Sequence, residues 1–263
     1  MTALDLGVTL WSWHTPLYLG AGLLAGWVDA IAGGGGLITI PTFLVAGIPP
    51  DLTLGTNKLQ ATFGSALAAW RYGRHPGLLD RRIAWIGVAW TLMGAAVGTY
   101  VVMLVSRRAL ERAIPFLLAA VAVYVLASPQ FRDEDRRARL PVPLLFALLG
   151  LSIGFYDGFF GPGTGSFWAV GLVALGGYGL TRATGYTKVM NCTSNATSLA
   201  VFLIGGKVLF IPALTMAVGQ AAGAWIGSHM ALRNGAKLIR PILASMSFGV
   251  AVWLVWRLAA CRS

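Results

Sequence analysis

The chain has 263 residues, 57% of them hydrophobic and 11% charged, with a net charge of +11 at pH 7 and a mean hydropathy of +0.72. A soluble domain carries about 25% charged residues, so this composition excludes a soluble globular protein and indicates an all-α polytopic membrane protein. The excess arginines and lysines sit in short connections between apolar runs, where orientation signals belong, and form no separate basic domain that would suit a nucleic acid.

The first apolar run, Leu6–Val28, has no basic residue before it and reads as a retained span, not a cleaved signal peptide. It leads into "AGWVDAIAGGGG" (25–36), with Asp29 ahead of Gly33, Gly34, Gly35 and Gly36. Each glycine in a helix costs about 1 kcal/mol against alanine, so the helix is expected to break here. Irregular backbone at membrane depth is tolerated only when buried in protein or lining a wet cavity. A helix restarting at Leu37 would aim its first N–H groups and the positive end of its dipole into the break, which is an anion site in principle.

A short apolar stretch, Leu37–Ile48, precedes "TNKLQATFGS" (56–65), where Asn57, Lys58 and Gln60 interrupt a segment continuing to Trp70. An ionised group inside a membrane is costly and is a functional candidate by default; the plainer reading of Lys58 is an ammonium snorkelling to the interface. The charge-free run Ile83–Val105 and the run Ala113–Ala127 complete the first half. A charged connection, residues 128–140, then leads to Leu140–Phe160, broken only by Asp157, and to "GPGTG" with Gly161, Gly163, Thr164 and Gly165. Phe167–Leu175 follows, then "YTKVMNCTSN" (186–195). In it Thr187, Asn191, Ser194 and Asn195 share one helical face next to Lys188. The last spans are Val208–Ala231 and Pro241–Trp256.

The chain is written twice. Gly26, Asp29, Gly33 and Gly35 recur 128 positions on as Gly154, Asp157, Gly161 and Gly163. Lys58 recurs as Lys188, "GAAVG" (94–98) as "GAWIG" (223–227), and Leu110 and Arg112 as Leu238 and Arg240. Residues 1–127 and 141–263 are therefore expected to be two related repeats. The loop Arg71–Arg82 carries four arginines while its counterpart near Gly205–Lys207 carries one lysine, which points to opposite sides of the membrane and so to inverted repeats. That arrangement puts the linker and residues 233–240 on the cytoplasmic side and both termini outside. It also leaves Arg107, Arg108 and Arg112 outside, against the trend. Inverted repeats with interrupted helices are a recurring plan for secondary transporters, with the site near the midplane.

The two cysteines, Cys192 and Cys261, and the three histidines, His14, His75 and His229, give neither a disulfide framework nor metal-ligand spacing, and no cofactor is indicated. Asp29 and Asp157 have three readings: a salt bridge to a lysine of the other cluster, a cap on the restarted helix, or a proton carrier in a coupled cycle. The glycines, too, have a plainer reading as close-packing positions between helices.

"AGWVDAIAGGGGLITIP", "LGTNKLQATFGS" and "GFYDGFFGPGTGSFW" followed by "TKVMNCTSN" resemble the motifs of the sulfite exporter TauE/SafE family of bacterial membrane proteins, over almost the whole chain. The resemblance implies a multi-pass inner-membrane permease for small sulfur oxyanions or organosulfonates. Pro162 and Thr164 depart from a run of four glycines, so the two half-sites need not be equivalent. The expectation is a secondary transporter of a small anion, sulfite or an organosulfonate, held by the glycine-run N–H groups, Lys58, Lys188 and the surrounding amides and hydroxyls. An anion channel is the alternative. A membrane-embedded enzyme fits less well, since no nucleophile stands beside a base in the sequence.

Overall fold

Glycine and proline set the ends of most helices. The computed structural model describes residues 14–127, 134–235 and 237–238, and these hold nine helices and no strand. α1 (His14–Ala32) stops where Gly33 and Gly34 take φ of +80° and +103°, and α2 (Gly36–Val45) restarts directly after. α6 (Val142–Phe159) stops before Gly161 and Gly163, at φ +100° and +80°, and α7 (Thr164–Ala174) restarts there. Left-handed backbone of this kind is open to glycine and resisted by any residue with a Cβ.

α3 (Pro50–Arg74) opens with a proline, whose missing N–H costs a first turn nothing. α4 (Arg81–Leu104) is capped by Asp80, whose carboxylate accepts from the N–H groups of Arg82 at 2.8 Å and Ile83 at 3.3 Å. α5 (Arg107–Ala127), α8 (Leu180–Ile204) and α9 (Phe210–Asn234) complete the set. α1, α4, α6 and α9 are long and apolar enough to cross a membrane, and the chain is an all-α membrane protein. Of the remaining expected spans, Ala113–Ala127 forms the later part of α5. Pro241–Trp256, residues 6–13 of the first span, residues 128–133 of the linker, Arg240, Cys261 and both termini lie outside the described residues.

Neither broken helix continues in its original direction. The ring of Phe43, late in α2, lies 5.5 Å from that of Tyr18, early in α1, so α2 returns along α1 as a hairpin. α7 returns along α6 in the same way, with the Trp168 ring 6.3 Å from Phe146. The two hairpin tips meet side by side. A Cβ on Gly33 would run into the backbone of Gly165, and Gly36 faces Pro162.

The hairpins are held by partners from the opposite half. α1 packs chiefly on α9, and α6 on α4. Both contacts run parallel and backbone to backbone: Gly22 and Gly26 meet Met216 and Gln220, while Gly154 and Gly158 meet Thr91 and Ala95. Small residues at such contacts let helix axes approach closely inside a membrane. α3 and α8 run antiparallel through the middle. The Leu209 N–H donates to Thr56 Oγ1 at one end, Lys58 reaches Asn195 further along, and Gly185 lies against the Tyr72 ring at the other end.

Charge separates between the two ends of the bundle. Arg71 bonds His229 near the end of α9, the Asp80 N–H donates to Tyr186, and Asp135 of the linker pairs with Arg182. The 71–82 loop, the described linker and the end of α9 therefore share one end, with Arg136 and Arg139 hydrogen-bonded there through their backbones. The opposite end carries Arg107, and Lys207 paired with Asp51 at 2.7 Å.

Candidate functional site

The hairpin tips, α3, α8 and α9 enclose a cavity of about 30 Å³, lined by Asp29, Gly34, Gly35, Gly36, Asn57, Lys58, Gln60, Asp157, Gly161, Gly163, Thr164, Gly165, Asn191, Asn195 and Gln220 among others. That space suits one water molecule. An oxyanion needs more room than that.

One wall is an ion pair between the halves. Lys58 Nζ donates to the Asp157 carboxylate at 2.7 Å, to the Asp157 backbone carbonyl at 2.6 Å and to Asn195 Oδ1 at 3.2 Å. Both side chains are almost fully buried, at 2% and 4% exposure. The second carboxylate oxygen accepts from the Ser194 hydroxyl. Lys58 is thus no interfacial anchor, because its ammonium is spent inside the protein.

The matching pair is looser. Lys188 Nζ donates to the Asp29 backbone carbonyl and stands 4.0 Å from its carboxylate, which instead accepts the Gly35 N–H at 3.1 Å. Asp29 therefore ties down the start of α2, whereas Asp157 binds an ammonium and a hydroxyl. The two half-sites differ, as Pro162 and Thr164 suggest in the sequence. In the second turn the Thr164 hydroxyl donates to the Gly161 carbonyl.

Two sets of polar groups remain for a ligand. The N–H groups of Gly34 and Gly36, and of Gly161, Gly163 and Gly165, donate to no acceptor among the described residues, and all five residues line the cavity. The second set is amides. Asn57 Oδ1 accepts from Gln60 at 2.8 Å and lies 2.5 Å from the Thr39 hydroxyl. Gln60 Oε1, Asn191 Oδ1 and Gln220 Oε1 are buried with no partner among the described residues. Half a rotation of each amide plane replaces that oxygen with an NH₂ donor pair.

The charges around the cavity do not cancel completely. Lys58, Lys188, Asp29 and Asp157 cancel in pairs. The N-termini of α2 and α7 both face the cavity, and each contributes about half a positive charge. The sum is close to one positive unit.

Most of the residues singled out in the sequence come together here, and four lie behind the wall. Gly33 is pressed on Gly165, the Thr187 hydroxyl donates back to the Ala183 carbonyl of its own helix, and Lys188 and Ser194 hold the two aspartates from outside the cavity. Gln220 lines the cavity without having been anticipated. Its signal was present, as the one amide in the apolar run Val208–Ala231. Thr99 and Ser198, buried and joined by a 2.8 Å hydrogen bond, also escaped notice; Thr99 reaches the Gly158 carbonyl at 3.1 Å and supports the α6 end of the site. No group of three His, Cys, Asp or Glu side chains placed to hold a metal occurs among the described residues.

A model of the sulfite exporter TauE/SafE family matches residues 18–254. A probable membrane transporter protein of Haemophilus influenzae is 41% identical over 253 residues, covering 96% of this chain and 97% of that protein. The probable membrane transporter protein ORF9 of a Sinorhizobium species is 45% identical over 239 residues, covering 89% and 90%. The probable membrane transporter protein YfcA of Escherichia coli K12 is 41% identical over 249 residues, covering 92% and 91%. No solved structure matches the chain.

Proposed function

The chain belongs to the sulfite exporter TauE/SafE family, and from that premise we propose that it is a secondary transporter of a small anion, sulfite or an organosulfonate, across the bacterial inner membrane. One observation carries the reading. Two half-helix N-termini, from opposite halves of the chain, converge on one cavity with a buried lysine and five backbone N–H groups that have no acceptor among the described residues. Interrupted helices that point their positive ends at an anionic group are how several transporter folds bind at the midplane.

The reciprocal packing of α1 on α9 and α6 on α4, with α3 antiparallel to its counterpart α8, supports two halves inverted across the membrane. The basic end is then cytoplasmic by the positive-inside rule. Alternating access is one half rocking against the other, and the Gly33–Gly165 and Gly36–Pro162 contacts are the surfaces that part.

The ion pair across the halves suggests the coupling. An incoming anion and the Asp157 carboxylate compete for the same ammonium of Lys58. A proton on Asp157 removes the competitor, so proton and anion occupy the site together. Asp29 is committed to the Gly35 N–H and serves the structure of the turn.

The test is uptake of labelled sulfite into liposomes holding purified protein, with unlabelled sulfite, sulfoacetate, taurine, sulfate and acetate as competitors. Saturable uptake suppressed by the sulfur anions and not by acetate is expected, with the anion recovered chemically unchanged. Flux that does not saturate would make the protein a channel, and a chemically altered anion would make it an enzyme.

A further inference from the structure

Away from the cavity, the basic end of α3 and α9 carries a second arrangement of cations. Trp70 and Trp225 stack between the helices, with ring centroids 6.2 Å apart and planes 25° from parallel. The Arg71 guanidinium lies 4.1 Å over the Trp225 ring and is hydrogen-bonded to His229 Nδ1 at 3.1 Å. The Arg74 guanidinium lies 4.7 Å over the Trp70 ring. A ring face fixes a guanidinium in place without cancelling its charge. Neither arginine forms an ion pair among the described residues. Two pre-positioned cations therefore stand at the basic end with no counter-anion among the described residues.

Deeper in the membrane the surface turns apolar along the same helix faces. Phe63 and Val218 each stand seven residues before the tryptophan of their helix, and both are exposed, at 47% and 66%. Seven residues of helix rise about 10 Å. This α3–α9 face thus presents, from its end inward, two guanidinium groups, a pair of indoles and two exposed apolar side chains. A phospholipid offers a phosphodiester, a glycerol ester and an acyl chain in the same order over the same depth.

We propose that this α3–α9 face is a binding site for one anionic phospholipid of the adjoining leaflet, its phosphodiester between Arg71 and Arg74 and an acyl chain over Phe63 and Val218. A soluble anion would use the arginines and leave the apolar side chains idle, and a zwitterionic lipid would bring a choline cation against two guanidinium groups.

The experiment uses the full chain in detergent with dioleoyl-phosphatidylglycerol, dioleoyl-phosphatidylcholine or inorganic phosphate, read by native mass spectrometry for bound lipid and by thermal unfolding. Phosphatidylglycerol should bind more tightly than phosphatidylcholine and raise the Tm. Arg71→Gln and Arg74→Gln should each weaken its binding about fivefold, leaving phosphatidylcholine binding unchanged, and Arg74→Gln should also leave the lipid-free Tm unchanged. If Arg71→Gln does not accumulate, Arg74→Gln alone carries the test, because the Arg74 guanidinium lies over an exposed ring and ties no second helix. Equal binding of the two lipids, a preference that survives in the variants, or a full Tm rise from inorganic phosphate alone would each overturn the site.

Discussion

Lys58 and Asp157 show how a charge survives at membrane depth. Neither is stable there alone, and together they satisfy each other, with Ser194 and Asn195 taking up the remaining bonds. Removing one partner of a buried pair costs about 3–5 kcal/mol, because the other is left uncompensated. Lys58→Ala should therefore lower thermal stability sharply. Lys58→Ala combined with Asp157→Asn should regain most of that stability while anion transport stays lost. A double variant that transports at the wild-type rate would show that the pair is only a structural strut. Asp157→Asn alone should keep anion binding, since Lys58 is then free for the ligand, and should flatten its dependence on pH. Steady loss of affinity with rising pH in this variant, parallel to wild type, would place the proton elsewhere.

Among the elements, two populations of glycine behave differently. Gly98 sits where α4 presses on α6, and a Cβ there would collide with the Phe155 backbone. Gly98→Ala is an overpacking change worth about 1–3 kcal/mol and should reduce stability first. Gly34 has φ of +103° and lines the cavity, so Gly34→Ala should damage transport more than its stability loss of about 1 kcal/mol explains. Melting curves and uptake rates measured side by side separate the two, and Gly34→Ala with normal uptake would reduce the run to a packing device. Gly35 differs from its neighbour: its φ is −51°, and alanine there meets Asp29 and the Ala25 carbonyl instead of a strained backbone. The break at residues 33–36 and its echo at 161–165 were legible because glycine runs cannot continue a helix. The return of α2 along α1 was not, since it depends on Tyr18 meeting Phe43, a contact between two apolar residues that no local pattern announces. The cavity residues at matching offsets could be read from the repeat. Gln220 could not, as its counterpart at the 129-residue offset of this region is Thr91, a hydroxyl and no amide, and it enters the site because α9 packs on α1 from across the molecule.

At the scale of the whole molecule, the basic end is expected to face the cytoplasm. In a background lacking Cys192 and Cys261, Glu134→Cys at the basic end should resist an impermeant thiol reagent in intact cells, and Ser106→Cys at the opposite end should react. The reverse pattern would invert the topology. The central claim is that a small anion is held between the two hairpin tips and carried across. The most direct measurement is labelled sulfite uptake into liposomes by wild type and by the Lys58→Ala, Asp157→Asn double variant, reconstituted to equal density and shown to be folded. Saturable uptake by the wild type and none above empty liposomes by the double variant is the expected result. Equal uptake by the two proteins would contradict an anion site between the hairpin tips.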